Sequence, residues 1–265
     1  MEIYLKFISK SFQKQITYKI EYFVGFINGF LYIFVFTSLW NALYAEYDAN
    51  AFKSGFTKSS IITYAVFVMI IKISFTMDDQ ITTRKVRTGD LVTDLIKPVS
   101  YFCITLSECI GQTIFHFLAR GLPILALSLF IFDISFPANV TNYLLLIVSA
   151  TFGYLILFMI NYIIGLMAFW FFDTFSFQLM KYGMYAVFSG GVVPVDFFPT
   201  TLQSIIDFLP FKYILYIPTC IFLGRFDEEA VITALIGQIC WVALLFVISK
   251  ITWIRAMRKL VIQGG

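Results

Sequence analysis

One uncharged run constrains the fold of this chain more than any other feature. Residues 143–172 contain no Asp, Glu, Lys or Arg. A helix over this run would be about 45 Å long, whereas the hydrocarbon core of a bilayer is about 30 Å thick. The run therefore predicts a membrane-spanning helix that crosses with a tilt.

The composition extends this prediction to the whole chain. Of 265 residues, 60% are hydrophobic and 13% are charged, while soluble domains carry about 25% charged residues. So few charges cannot cover a water-facing surface, which excludes an ordinary soluble enzyme, a disordered chain and a nucleic-acid-binding domain. We expect an all-α integral membrane protein with one transmembrane domain over residues 1–265. The bilayer is a partner, and nucleic acid is not.

At about 20 residues per crossing, the length allows six transmembrane helices. The predicted spans are approximately Tyr22–Leu43, Ile61–Met77, Thr113–Phe132, Tyr143–Phe172, Tyr182–Val193 and Ala230–Ile254. Residues 1–20 alternate lysines with apolar residues near helical spacing, which predicts an amphipathic helix on the membrane surface. Pro123 predicts a kink in the third span.

The distribution of Lys and Arg predicts the orientation. With the amino terminus inside, the cytoplasmic segments hold 13 Lys and Arg and the outer segments hold 4. The positive-inside rule then places both termini in the cytoplasm. This parity agrees with six spans in the plasma (inner) membrane.

Residues 195–224 follow the fifth predicted span and are apolar but broken by proline. Without an uninterrupted piece long enough to cross, this segment predicts re-entrant or interfacial helices on the outer side. We expect it to cap the outer end of a transport path, with bends at Pro194, Pro199, Pro210 and Pro218.

Residues 78–98 form the most charged stretch and the best functional candidate. Leu91, Leu95 and Ile96 lie at helical spacing after Gly89-Asp90, which predicts a short amphipathic helix. At the cytoplasmic mouth it could dock on a soluble partner. The alternative is a solvated loop whose charges only set the topology.

A polar stripe is the second candidate. Glu108, Gln112, His116 and Arg120 recur every four residues and share one face of a helix. They are candidates for a translocation path or an interface between permease chains. The alternative is that Arg120 and Lys72 snorkel from ordinary structural helices to the inner surface.

Two segments resemble the type-2 ABC transporter permeases, in a bacterial branch of six-span permeases of about 260 residues. The first is TGDLVTDLIKPVSYF (88–102), which is similar to their loop between spans two and three. The second is GGVVPVDFFPTTLQSIIDFLPFKYILYIPTCIFLG (190–224), which is similar to their segment after span five. The closing Gly264-Gly265 also fits this branch. Lys97 departs from the branch, where Arg is commoner.

The resemblance implies a permease that pairs with a second, identical or related permease chain and with two cytosolic P-loop ATPase subunits. ATP and Mg would bind to those subunits, and this chain would bind no cofactor and no metal. The resemblance implies a coupling helix over 89–95 that sits in a groove of the ATPase. Its contacts would be Arg84, Lys85, Arg87, Gly89, Asp90, Leu91, Asp94 and Leu95, with Leu91 and Leu95 filling an apolar floor.

The residues themselves already required a partner of this kind if transport uses ATP, because the chain has no GxxxxGK[ST] motif. We expect an exporter of a hydrophobic or amphipathic substrate such as a drug, peptide or lipid. The alternative is a secondary transporter or channel. A membrane-embedded enzyme is disfavoured, because there is one histidine and no catalytic residue is predicted.

Overall fold

A computed structural model describes residues 2–17, 19–46, 55–171 and 173–259. Within these ranges the chain is all-helical and contains no strand, which confirms the predicted class. The helices are α1 (Glu2–Ile16), α2 (Lys19–Glu46), α3 (Lys58–Ser74), α4 (Ile81–Thr88), α5 (Asp90–Leu95), α6 (Tyr101–His116), α7 (Leu122–Ile131), α8 (Val140–Leu166), α9 (Phe175–Phe188), α10 (Thr200–Asp207), α11 (Tyr216–Phe222) and α12 (Glu228–Met257). Part of the predicted connection 44–60, the end of the fourth predicted span at Phe172, and Gly264-Gly265 lie outside the described residues.

Among the described residues, four helical segments are long and apolar enough to cross a membrane. They are Tyr22–Glu46, Tyr101–Ile131, Val140–Phe169 and Glu228–Met257. These segments correspond to the first, third, fourth and sixth predicted spans. The helix of the third span begins at Tyr101, before the predicted membrane entry near Thr113, because the polar residues before position 113 continue the same helix.

The helix that joins α6 to α7 is interrupted where the sequence places Pro123. A π-helical turn covers Phe117–Gly121, and the Leu122 amide donates to the Phe117 carbonyl oxygen five residues back. Proline lacks an amide hydrogen and its ring clashes with the carbonyl four residues earlier. Wider π-helical turns accommodate such a residue without ending the helix.

Helices α3 and α9 correspond to the second and fifth predicted spans but are shorter. α3 has 17 residues and α9 has 14, so their lengths are about 26 and 21 Å. The prediction that span five covers Tyr182–Val193 is wrong at both ends, since α9 runs from Phe175 to Phe188. Lys181, which was assigned to a cytoplasmic break, lies inside α9.

The segment 195–224 forms two short helices, α10 and α11, as its prolines predicted. All seven residues of α11 are buried, and at about 10 Å the helix is too short to cross. It packs against α8 and α3. Each proline lies at or near a helix start: Pro194 and Pro210 precede 3-10 turns, Pro199 precedes α10, and Pro218 lies in the first turn of α11.

The core lies around α3 and α8. Most residues of α3 are buried, and this helix packs against α2, α7 and α11. α8 packs most extensively against α12 and α11. The amphipathic helix α1 packs along α6, so residues 2–16 pack against the helix that carries most of the polar stripe.

Candidate functional site

The charged segment 78–98 folds into a helical hairpin, α4–α5, that lies between α3 and α6 in the chain. The sequence predicted one short helix here, and the structure has two. They meet at Gly89, whose φ is +81°. Glycine adopts this left-handed conformation without the steric cost that a side chain would impose, so the turn between the helices depends on it.

Lys85 joins three helices. Its ammonium lies 2.9 Å from Asp94 Oδ2 on α5 and 2.7 Å from Glu108 Oε2 on α6. The Lys85 side chain is 16% exposed and that of Asp94 is 7% exposed, so water screens this network little. Burial alone would lower the pKa of Lys85, but Glu108 and Asp94 reverse this effect and raise it.

Asp94 also accepts a hydrogen bond from Lys97, at 2.6 Å between Nζ and Oδ1. Burial alone would raise the pKa of the Asp94 carboxyl, but the hydrogen bonds from Lys97 and Lys85 outweigh it and lower the pKa. The carboxylate therefore stays charged and holds α5 against α4 and α6.

The structure corrects the predicted role of two hairpin residues. Leu91 is 1% exposed and belongs to the hydrophobic core, so it cannot fill a groove of another protein. Asp94 is equally inaccessible, because its carboxylate is used within the chain. Leu95 is half-buried, whereas Ile96 is 79% exposed. Ile96 therefore carries the exposed large apolar side chain of the hairpin.

The remaining hairpin residues lie on its exposed side. Arg84 pairs with Asp78, and Arg87 lies 3.9 Å from Asp173. Both arginines are about half exposed, so these surface pairs contribute little stability. Asp90 is exposed and accepts a hydrogen bond from Thr88 Oγ1 at 2.7 Å. Gly89 is exposed as well.

Three residues of the polar stripe lie on α6 and Arg120 lies in the π-helical turn after it, and all four contact other residues of the chain. Glu108 binds Lys85, and the Gln112 side-chain oxygen accepts from the Asp78 amide at 2.6 Å. A β-carbon at Gly25 of α2 would lie 2.5 Å from Arg120 Cζ, so this guanidinium occupies the space beside Gly25. His116 is buried beside Phe115. These contacts join α6 to the hairpin and to the loop before it, and they join the π-helical turn to α2.

A second charged cluster lies beside the hairpin, and the sequence analysis missed it. Lys181 of α9 lies 2.8 Å from Asp79 Oδ2 and 2.8 Å from Asn161 Oδ1 of α8. The Tyr182 hydroxyl donates to the same Asp79 carboxylate, and Gln178 donates to the Asp79 carbonyl oxygen at 2.9 Å. The Lys181 and Asp79 side chains are 5% and 15% exposed. A buried pair of this kind fixes the start of the hairpin against α8 and α9.

A comparison with protein families identifies the family to which the chain belongs. The family model described as ABC-2 family transporter protein matches residues 30–264, which is most of the chain. The chain belongs to the ABC-2 transporter family. The family assignment agrees with the resemblance found in residues 88–102 and 190–224. No curated protein matches the sequence.

Membership of the ABC-2 family makes the chain a permease component of an ABC transporter, and a membrane transport subunit rather than an enzyme. The family implies that an ABC ATPase is its partner. Among the described residues, no three His, Cys, Asp or Glu side chains could hold one metal ion.

One signal in the sequence could have located the missed cluster of this ABC-2 permease. Asn161 is a strongly polar residue in the middle of the uncharged run 143–172. Polar residues inside membrane segments are costly and usually face a partner or a cavity. Its partner Lys181 was assigned to a loop, so the pair could not be recognised.

Proposed function

We propose that this chain is the membrane permease of an ATP-driven exporter and that the exposed side of the α4–α5 hairpin docks on its cytosolic ATPase. The observation that supports the proposal best is the contrast between the two sides of the hairpin. Leu91 and Asp94 are fixed in the interior, whereas Ile96 is 79% exposed on a segment that also exposes Arg84, Arg87 and Asp90. An exposed apolar side chain on a polar segment is typical of a protein contact, where buried anchors dominate the affinity.

The network around Lys85 gives this surface mechanical support. Lys85 joins α4 to α5 and α6, and Leu91 packs in the core. A force applied to the hairpin by an ATPase would therefore act on α6 rather than bend a free loop. This rigidity is what an energy-coupling element requires, and a topological anchor does not need it.

For the remaining architecture we propose six spans with both termini in the cytoplasm of the plasma membrane. The short helices α3 and α9 would be the two crossings beyond the four long ones. The 13-to-4 bias of Lys and Arg supports this orientation. The segment containing α10 and α11 would then lie on the outer side as a re-entrant cap. Two permease chains would form the transporter, in either identical or related copies.

The deciding experiment compares Ile96→Asp with Ile205→Asp. Ile205 is 52% exposed on α10, so it is a matched control on the opposite side of the membrane. Burying an isoleucine is worth about 1.5–3 kcal/mol, so Ile96→Asp should weaken ATPase binding by a factor of ten or more. Both variants are expressed with the P-loop ATPase subunit that the proposal places in a neighbouring reading frame, and pull-down and substrate-stimulated ATP hydrolysis are measured.

We expect Ile96→Asp to lose both signals and Ile205→Asp to keep them. Single cysteines at the same two positions test the orientation, because only position 205 should react with an impermeant reagent from outside intact cells. Equal ATPase binding by both variants would contradict docking at the hairpin. Transport without any ATPase would favour the secondary transporter or channel instead.

A further inference from the structure

A cavity of about 370 Å³ lies between the end of α3, α8 and α9. Its size falls in the range of small-molecule sites, about 300–1,000 Å³. Three charged side chains line it: Lys72 of α3, Asp79 of the following loop and Lys181 of α9. The cavity thus adjoins the buried cluster described above, but Lys72 is not part of that cluster.

The charges of the cavity do not cancel. The Asp79 carboxylate forms an ion pair with Lys181 at 2.8 Å and accepts a hydrogen bond from the Tyr182 hydroxyl. Among the described residues, no carboxylate lies within ion-pair distance of Lys72. The Lys72 ammonium lies over the Tyr32 ring, 5.1 Å from its centroid. One half-buried positive charge therefore faces the cavity with an aromatic ring as its neighbour.

Apart from Thr76 and Asn161, the rest of the wall is apolar or aromatic. Phe75 and Leu157 contribute apolar surface, and Tyr185 and Ala186 of α9 continue it. A ligand that fits this wall has an apolar part next to an anionic group. Neutral apolar molecules would leave the ammonium without a partner, which is costly in a partly desolvated site.

We infer that this cavity binds the anionic group of an amphipathic molecule, with Lys72 as its cationic partner and the wall around Phe75 and Tyr185 against the apolar part. The inference rests on the proposed function for one point, namely that the bound molecule is the transported substrate. It narrows the substrate class from amphipathic molecules in general to anionic amphiphiles.

The test measures binding to the full chain in a neutral detergent by native mass spectrometry, without the ATPase. The probe is dodecyl phosphate, which has an anionic head and an apolar tail. Dodecyltrimethylammonium has the same tail and the opposite charge, and inorganic phosphate has the charge without the tail. We expect dodecyl phosphate to bind at least roughly tenfold more tightly than either of the other two.

The decisive variant is Lys72→Met, which keeps a long apolar stem and removes the charge. A hydrogen bond to a charged group contributes about 1.5–3 kcal/mol, so dodecyl phosphate should bind roughly ten- to hundredfold more weakly. Lys72→Arg should keep most of the affinity. Lys250→Met is the matched control, because the Lys250 ammonium also lies over an aromatic ring, 5.3 Å from the Phe246 centroid. Its affinity should equal that of the wild type.

Three results would overturn the inference. Lys72→Met and Lys250→Met could weaken binding equally, which would indicate general attraction to basic residues. Inorganic phosphate could bind as tightly as dodecyl phosphate, which would make the ligand a free anion. Dodecyltrimethylammonium could bind as tightly as dodecyl phosphate, which would remove the role of charge. If the binding experiment contradicts this inference, the Ile96 experiment on ATPase docking is unaffected. If the Ile96 experiment fails instead, the binding result still holds, but it is no longer linked to transport.

Discussion

Replacing Gly111 with alanine should displace α1 from α6. A β-carbon at position 111 would lie 2.4 Å from the Ile8 carbonyl oxygen, 2.9 Å from Ser11 Cβ and 3.1 Å from the Phe12 amide nitrogen. Two of these three atoms belong to the backbone of α1, so a change of side-chain rotamer cannot relieve the contact. The helix itself has to move.

The size of the movement and its cost follow from these distances. Ordinary contact begins near 3.4 Å, so the Ile8 oxygen must retreat by about 1 Å. The hydrogen bond from Ser11 Oγ to the Glu108 carbonyl oxygen, now 2.6 Å, would lengthen beyond its useful range. Overpacking costs about 1–3 kcal/mol and the hydrogen bond about 1 kcal/mol. The higher helix propensity of alanine offsets up to about 1 kcal/mol of this cost. The docked α1 helix should therefore be destabilised by about 1–3 kcal/mol.

Hydrogen exchange of the α1 amides in nanodiscs measures this loss, because local opening reports the stability of the docked helix. Exchange should accelerate roughly five- to hundredfold in Gly111→Ala. Gly183→Ala is the matched control, since nothing lies within 4 Å of a β-carbon at that position of α9. Ser11→Ala removes the hydrogen bond alone and should accelerate exchange about fivefold.

The reasoning fails if α1 exchanges at the wild-type rate in Gly111→Ala. It also fails if Gly183→Ala accelerates α1 as much as Gly111→Ala does, because the effect would then come from alanine in any helical glycine position rather than from the close approach of two helices.

Two further predictions concern the hairpin. Leu91→Ala should destabilise the hairpin by about 2–5 kcal/mol, because Leu91 is buried. Limited proteolysis should therefore cut residues 78–98 faster in Leu91→Ala than in Ile96→Ala. Equal rates would contradict the placement of Leu91 in the core. The ion network should be insensitive to pH between about 5 and 9, because Asp94 has a lowered pKa and Lys85 a raised one. Its contribution is lost only as pH falls through the Asp94 pKa, below about 3.9, or rises through the Lys85 pKa, above about 10.4. Exchange of the hairpin amides, corrected for intrinsic rates, should show no change in opening free energy between pH 6 and 8, and a change there would refute the assignment.

The sequence predicted the long helices well because their signal is local. An uncharged run such as 143–172 has few alternatives to a spanning helix, and prolines mark where residues 195–224 break into short helices. The start of α9 was missed for a non-local reason. From the sequence alone, Lys181 looks like a charged residue in a loop. Its ion pair with Asp79, which is distant in sequence, is visible only in the structure.

The hairpin shows a second limit of sequence patterns. The spacing of Leu91 and Leu95 correctly predicted an apolar helix face, but periodicity does not say what covers that face. In the structure the core of the chain covers Leu91, and Ile96 at the end of α5 carries the exposed apolar surface. A buried face and a docking face have the same pattern, so only the tertiary structure separates them.

The contacts of α6 explain why the hairpin and α1 should act together. Glu108 receives Lys85 of the hairpin through its carboxylate and Ser11 of α1 through its backbone oxygen. Lys97, just after α5, completes the arrangement with its ammonium 5.2 Å from the Phe7 ring centroid on α1. The hairpin, α6 and α1 thus share a small, partly buried group of contacts. Displacement of any one of these elements would strain the contacts of the other two. A push on the exposed side of the hairpin would therefore reach α6 and α1 together, which would give the amphipathic helix α1 a mechanical reason to be packed beside the proposed ATPase-docking surface.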